Sequence, residues 1–286
     1  MPKVSVLLVT YNREHFLPTM IDCLKNQTFQ DYEVLLVNNG STDGTDKICE
    51  QYAQSDSRVK LITMDENKGK ALGFNAGLLE ATGDYITCVD DDDRCKPEML
   101  SFLVSMAESN GADISMCGSY LDFEGELKPY FVGDIRFDFE RLQGLRELLK
   151  RELYNVAPPT KLFRRTLWDG IQVPTNTLID DIHVIYKLFE RAKCVSVHNM
   201  PYYYFRKHSS NMTSFIENPR MLTPQLLDEY LEMYHTRADY LLRHAPEIAD
   251  CINKSKVAFM RNMHKLITTN NLEGFESHLE RLGEHL

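Results

Sequence analysis

The chain has 286 residues, with 42 Asp and Glu against 32 Lys and Arg, and a formal charge of −10. At 43% apolar and 26% charged residues it has globular composition, which excludes a disordered or collagenous chain. The acidic balance argues against nucleic acid as a partner, since affinity for phosphate backbones comes from clustered Lys and Arg, and it points to cations instead.

Short β-branched or apolar runs at Val4–Val9, Glu33–Val37, Val59–Thr63, Tyr85–Val89 and Asp113–Cys117 read as strands. Between them the spacing predicts helices over about 14–27, 43–55, 70–81 and 97–109, with Ser41-Thr42-Asp43 and Lys96-Pro97 as starting punctuation. Such alternation means βαβ units and a mainly parallel, Rossmann-like buried sheet flanked by helices. From about 120 to 215 the pattern is mixed, with helices expected over 139–153 and 180–192 and an extended aromatic segment over 194–206. Beyond Pro219 it is helical: Leu226, Leu227, Tyr230, Leu231 and Tyr234, then Val257, Met260, Met263 and Leu266, follow i, i+3/i+4 spacing. The expected organisation is an α/β domain over 1–215, with halves 1–120 and 121–215, and a helical appendage over 216–286 that serves as a lid, an oligomer contact or a membrane-facing surface. Homo-oligomerisation through these helices is left open.

Seven scattered cysteines, with no zinc-like spacing and no secretory signal before them, suggest reduced thiols in the cytoplasm. Val4–Val9 is far shorter than the ~20 apolar residues of a membrane helix. A soluble chain is expected, with peripheral contact at the inner face of a membrane left open.

In an open α/β sheet, ligands bind beyond the carboxyl ends of the strands. The loops there carry Thr10-Tyr11-Asn12-Arg13 and Asn38-Asn39-Gly40-Ser41-Thr42-Asp43-Gly44, small polar residues that either admit a base or ribose or make an ordinary turn with an Asx or Ser cap. Neither GxxxxGK[ST] nor a well-placed GxGxxG is present, so a diphosphate must be held in another way. The fourth strand ends in Asp90-Asp91-Asp92-Asp93. Adjacent carboxylates repel one another unless a cation offsets them, and hard oxygen donors suit Mg or Mn. An acidic run alone is more often a solvated turn, but placement directly after a buried strand favours a site. In extended backbone, Asp90/Asp92 and Asp91/Asp93 would each point one way. An EF-hand is rejected, because Ala76 stands at the twelfth position from Asp65 and Cys95 at the sixth from Asp90. Asp180-Asp181 opens a helical pattern, where acids cap favourably or act as a general base. The segment Arg206-Lys207-His208-Ser209-Ser210, with Thr213, could close over a diphosphate or be a plain loop. Trp168, Tyr202–Phe205 and the tail methionines read as core, and His183 and His198 as ordinary strand or surface residues.

In order, these motifs resemble glycosyltransferase family 2, the inverting nucleotide-sugar transferases of GT-A fold. Val4–Arg13 is similar to the family's first strand and nucleotide loop, and Val37–Gly44 to its DDGSTDG loop. Asn67-Lys68-Gly69, Asn75-Ala76-Gly77 and Ala81–Ile86 resemble the section that follows. Val89–Asp93 resembles LDSDD, and Lys161-Leu162-Phe163-Arg164-Arg165 resembles KLYRR. Asp180-Asp181 falls at the ED pair, and Tyr204–His208 with Ser210 and Thr213 at YYR-x-H-x-x-S-x-T. The likeness covers about residues 3–215. It implies a non-processive transfer of one sugar from a nucleoside diphosphate, UDP above all, to an acceptor hydroxyl on a glycan or a lipid- or protein-linked acceptor of the kind met in polysaccharide biosynthesis. By resemblance, Asp92 and His208 would hold Mn or Mg, and Asp90 and Asp91 would contact ribose or the metal's water shell. Thr10, Tyr11, Asn12 and Asn39 would line the base pocket. Lys70 and Arg206 would meet the diphosphate, and Asp181 would be the general base. The sequence departs from the pattern at Asn38-Asn39, where Asp is usual, and at Phe74, where Arg is common. With no QxxRW motif, a processive synthase is not expected. Two other readings are a sugar-phosphate nucleotidyltransferase, disfavoured because the first loop lacks glycine, and a catalytically silent nucleotide-binding scaffold.

Overall fold

The structure is a computed structural model that describes residues 1–284 except 176, 179, 180, 209, 210, 212–214, 216 and 217. In chain order the elements are β1 (Val4–Thr10), α1 (Leu17–Lys25), β2 (Tyr32–Asn38), α2 (Thr45–Ser55), β3 (Val59–Thr63), α3 (Lys70–Leu79), β4 (Tyr85–Asp90), β5 (Arg94–Cys95), α4 (Met99–Asn110) and β6 (Ile114–Phe123). Then come β7 (Glu126–Tyr130), β8 (Arg136–Glu140), α5 (Arg141–Lys150), β9 (Lys161–Arg164), α6 (Ile185–Arg191) and β10 (Cys194–Arg206). Three helices follow: α7 (Pro224–His244), α8 (Ala249–Thr269) and α9 (Glu276–Gly283).

One sheet organises the molecule, in the order β3-β2-β1-β4-β9-β6-β10-β5, with β7 beside β6 and β8 beside β10. Strands β1 to β4 pair in parallel, as do β6 and β10, while β9 runs antiparallel between β4 and β6. The six long strands therefore point the same way, and their carboxyl ends share one edge. Successive residues of β1 face opposite layers: Val4, Val6 and Leu8 pack with α1, α2 and α4, whereas Leu7 packs with α3 and α6. Both faces are covered, which is why the strand reads as an apolar run interrupted only by Ser5, whose Oγ donates to Glu33 at 2.6 Å.

All five expected strands are present, and the fifth extends to Phe123. β7 and β8 were not expected. They are largely exposed edge strands, one carrying Pro129, so they lack the burial that writes alternation into a sequence. The helix expected over 180–192 is instead a 3₁₀ turn at Asp181–His183 followed by α6. At the second helix, Asp43 Oδ1 accepts the Thr45 N–H at 2.9 Å, in keeping with its expected role as punctuation.

The tail does not stand apart from the sheet. Ala238, Leu241, Ile248 and Ile252 lie in one apolar cluster with Leu145, Leu148 and Phe189. Farther along, Leu226, Leu227, Met260 and Met263 form a second cluster that takes in Ile182. α7 starts at Thr223, whose Oγ1 accepts the Leu226 N–H at 3.2 Å, with Pro224 in its first turn. No helix among the described residues is long and apolar enough to cross a membrane.

Candidate active site

Two loops beyond β1 and β2 are stitched together by side chains. Asn12 adopts φ 51°, a left-handed conformation Asn tolerates. Its Oδ1 accepts the Thr42 N–H at 2.9 Å and its own N–H donates to Ser41 Oγ at 3.1 Å. Asn38 Oδ1 accepts the Ser41 N–H at 3.1 Å and its amide donates to Asp46 at 2.8 Å. Gly40, at φ 71°, leaves no room for a side chain, since a Cβ would fall 2.4 Å from the Glu66 carbonyl carbon. Asn39 is buried beside it and donates to Asn67 Oδ1 at 3.1 Å. The amide carries a second N–H that no other described residue accepts.

The acidic tract leaves β4 and turns at once, the Asp93 N–H donating to Asp90 O at 3.3 Å. The expected pairing of alternate residues therefore gives way to four carboxylates with four different partners. Asp90 meets Lys70 Nζ at 2.9 Å. Asp91 lies 3.6 Å from Arg13 Nε. Asp92 bonds to His208 Nε2 at 2.9 Å, with Asn211 Nδ2 at 3.4 Å. Asp93 is buried and accepts the Arg206 N–H at 2.8 Å, so it holds the last residue of β10. Tyr203, fully buried, accepts the Asp90 N–H at 3.0 Å.

Crowding has electrostatic consequences. Burial, reinforced by Asp92 and Asp90, pushes Asp91 up to about 7 against the pull of Thr10 and Arg13. Asp93 is raised well above the carboxylate range, again mainly by burial. His208 stacks on Phe16 with centroids 4.9 Å apart, and the Arg206 guanidinium lies 5.1 Å from the same ring.

Asp181 stands at the head of its 3₁₀ turn and lines a small cavity with Lys70, Asp90, Phe74, Pro158, Pro159 and Trp168. The cavity measures about 40 Å³, room for a few waters or one small substituent. Trp168 is core, as expected, yet it also borders this cavity, and its indole N–H has no hydrogen-bond partner among the described residues. Beneath lies Lys161, fully buried, whose Nζ donates to Ala157 O at 2.7 Å and Asn155 Oδ1 at 2.8 Å. Burial brings its amine down to about 7.

A larger cleft at the same sheet edge is lined by Thr10, Tyr11, Asn39, Lys70, Asp90, Asp91, Asp92, Asp181 and Arg206. His208 is joined to it through Asp92. Asn12 is not part of the lining; it ties the loops after β1 and β2 together instead. Asp180, Ser209, Ser210 and Thr213 lie outside the described residues. The sequence did not single out Asn211 or Phe16, and no spacing rule marks them; Asn67 and Asp93 were in view within their motifs, but their contacts with Asn39 and the Arg206 backbone were not. Arg13 was in view in the first loop, but its position against Asp91 was not.

A parallel β1–β4 half, an antiparallel β9 inserted beside β4, and an acid-lined cleft at the carboxyl edge match the GT-A architecture. The family model described as Glycosyl transferase family 2 matches residues 5–171, and the chain belongs to that family. Among relatives, the glycosyltransferase GlyG of Streptococcus pneumoniae is 27% identical over 220 residues, covering 73% of this chain and 72% of GlyG. The S. aureus TarS 1–349 structure in complex with UDP-GlcNAc aligns with TM-score 0.78 at 21% identity, over 99% of this chain and 80% of that one. The mannosyltransferase PcManGT of Pyrobaculum calidifontis, in complex with GDP-Man and Mn2+, aligns with TM-score 0.61 at 15% identity, over 99% of this chain and 74% of that one. Membership of this family makes the chain an enzyme and displaces the nucleotidyltransferase and silent-scaffold readings.

Proposed function

We propose that the protein is a non-processive, inverting transferase that moves one sugar from a UDP-sugar to an acceptor hydroxyl of a glycan or of a lipid- or protein-linked acceptor. One observation carries this reading: Asp181 opens onto the cleft that also holds Asp90, Asp91, Asp92 and Arg206. A carboxylate facing the charged tract across a cleft can remove the acceptor proton while the leaving group is held from the other side.

Asn39 retains an amide hydrogen for a pyrimidine edge, and Thr10 and Tyr11 form the wall beside it. The bound UDP-GlcNAc of TarS supports a uridine donor. Lys70 and Arg206 line the cleft where the diphosphate would lie, and take up its charge as the sugar departs. The acceptor oxygen bonds to the anomeric carbon on the face opposite the diphosphate, the bond to the diphosphate breaks, and the proton passes to an Asp181 oxygen. The configuration is thereby inverted. No proton need be given to the leaving group, which separates this chemistry from the two-carboxylate glycosidase scheme.

A divalent ion fits the donor set. Asp92 and His208 offer an oxygen and an imidazole nitrogen 2.9 Å apart, at 14% and 17% exposure, with Asn211 beside them. An ion held by these two residues would complete its shell with phosphate and water. PcManGT binds Mn2+ with its nucleotide sugar. Bound there, Mn or Mg would supply charge neutralisation at the diphosphate.

The test is Asp181→Asn. UDP binding is expected to persist while UDP release from UDP-sugars in the presence of Mn disappears; turnover that survives the substitution refutes the base assignment. EDTA is expected to abolish activity and Mn or Mg to restore it, and full activity in EDTA removes the metal role.

A further inference from the structure

The family match ends at residue 171, so Asp181 and the whole helical tail lie beyond it. One carboxylate of that tail reaches back across the base. Glu229, on α7, accepts the Leu178 N–H through Oε2 at 2.6 Å, and its Oε1 lies 3.4 Å from His183 Nε2. These contacts fall three residues before Asp181 and two after it. Glu229 and His183 are both largely shielded, at 12% and 13% exposure. Ile182 is buried among Leu226, Leu227 and Leu231 of the same helix. The Tyr230 hydroxyl, next to Glu229 in sequence, is raised chiefly by burial and then by the charge of Asp181.

A three-residue 3₁₀ turn has poor hydrogen-bond geometry and little stability of its own. A general base, in contrast, must be held to within roughly 0.5 Å. The helix is well suited to hold it. α7 is 21 residues long, capped by Thr223 at the Glu229 end. At its far end Leu241 is fully buried in the core, and Tyr240 bonds to Glu190 of α6 at 3.2 Å. Its far end is thus fixed to the sheet's helical layer while Glu229 grips both flanks of the turn.

We infer that Glu229 is a positioning residue for Asp181, and that α7 belongs to the active site as the element that sets where the base stands. The inference rests on the base role proposed above. It gives the tail a task within the transfer reaction itself, in addition to any part in association.

The test compares Glu229→Ala and Glu229→Gln with Asp181→Asn in the full chain, reading UDP release from UDP-GlcNAc with Mn and UDP affinity by calorimetry. Misplacing a catalytic group by about 1 Å costs on the order of 100-fold in rate. Glu229→Ala is therefore expected to lower kcat by roughly 10- to 100-fold with the KM for UDP-GlcNAc and the UDP affinity unchanged, because the nucleotide side is built by β1, β2 and their loops. Glu229→Gln keeps an acceptor for the Leu178 N–H and should recover part of kcat. Wild-type kcat in both variants overturns the inference, as does a fall in UDP affinity that keeps pace with kcat, which would mark a general loss of structure. If Glu229→Ala does not fold, Glu229→Gln decides: reduced kcat at unchanged UDP affinity supports the role, and unchanged kcat refutes it. Activity in Asp181→Asn refutes the base assignment instead, whatever the Glu229 variants do.

Discussion

Asp91 shows how the site trades stability for charge. An ordinary aspartate ionises near 3.8, whereas burial holds this one at about 7. Between those two pH values the folded chain binds a proton that the unfolded chain has lost, so stability falls as pH rises through the window. Above pH 7 the whole cost of the buried charge is present. Asp91→Asn removes the ionisation, and its Tm is expected to exceed that of the wild type at pH 8 by clearly more than at pH 4.5. UDP binding should weaken in the same variant, because the amide replaces a cleft carboxylate beside Arg13. Equal Tm differences at the two pH values would show that Asp91 is not held protonated. The acidic run was visible in the sequence, and so was its place after a buried strand. Its division of labour was not: His208 lies 116 residues from Asp92, and Asp93 turns inward to the Arg206 backbone 113 residues away. Spacing rules report neighbours on one element, and these partners come from two.

At the scale of elements, β9 is the least conspicuous strand and holds a central place. Four residues long, it sits between β4 and β6, and it carries Lys161 fully buried. A charged residue breaks the apolar signal that revealed the other central strands, and only the likeness to KLYRR drew notice to this segment. The amine fastens Asn155 and Ala157, and Pro158 and Pro159 beyond them wall the cavity at Asp181. Burial lowers it to about 7 from 10.5. The unfolded chain therefore binds the extra proton between those limits, and stability rises with pH there by about 1.4 kcal/mol per unit. Lys161→Met abolishes this dependence. Chemical denaturation at pH 7 and pH 9 should show the wild type gaining on the variant as pH increases; a constant difference would mean the amine titrates normally. Four of the five apolar strands and the tail helices could be read because burial repeats along each of them, whereas Val59–Thr63, only partly covered, could be read from its β-branched residues. The 3₁₀ turn of Asp181 could not, since it takes its place from α7 and Glu229 rather than from its own residues.

For the whole molecule, the sequence suggested a catalytic part and a helical appendage, and the packing bears on how separable they are. Leu241 is fully buried in the cluster that contains Leu145, Leu148 and Phe189 of the layer over the sheet. Arg141 of α5 reaches Glu190 of α6 at 3.1 Å and the His244 carbonyl at 3.2 Å, crossing from one part to the other. Elements that share a core unfold together. A single thermal transition is therefore expected for the full chain, and Leu241→Ala should destabilise that transition by about 2–5 kcal/mol, the cost of an unfilled aliphatic site. UDP added in excess should raise the same transition, since binding to the native state stabilises whatever unfolds with the site. Two transitions, with Leu241→Ala moving only the one that UDP leaves untouched, would show that the tail folds independently. The proposed coupling between Glu229 and Asp181 would then cross a boundary between units that open separately, and the base would lose its fixed position whenever the tail opened.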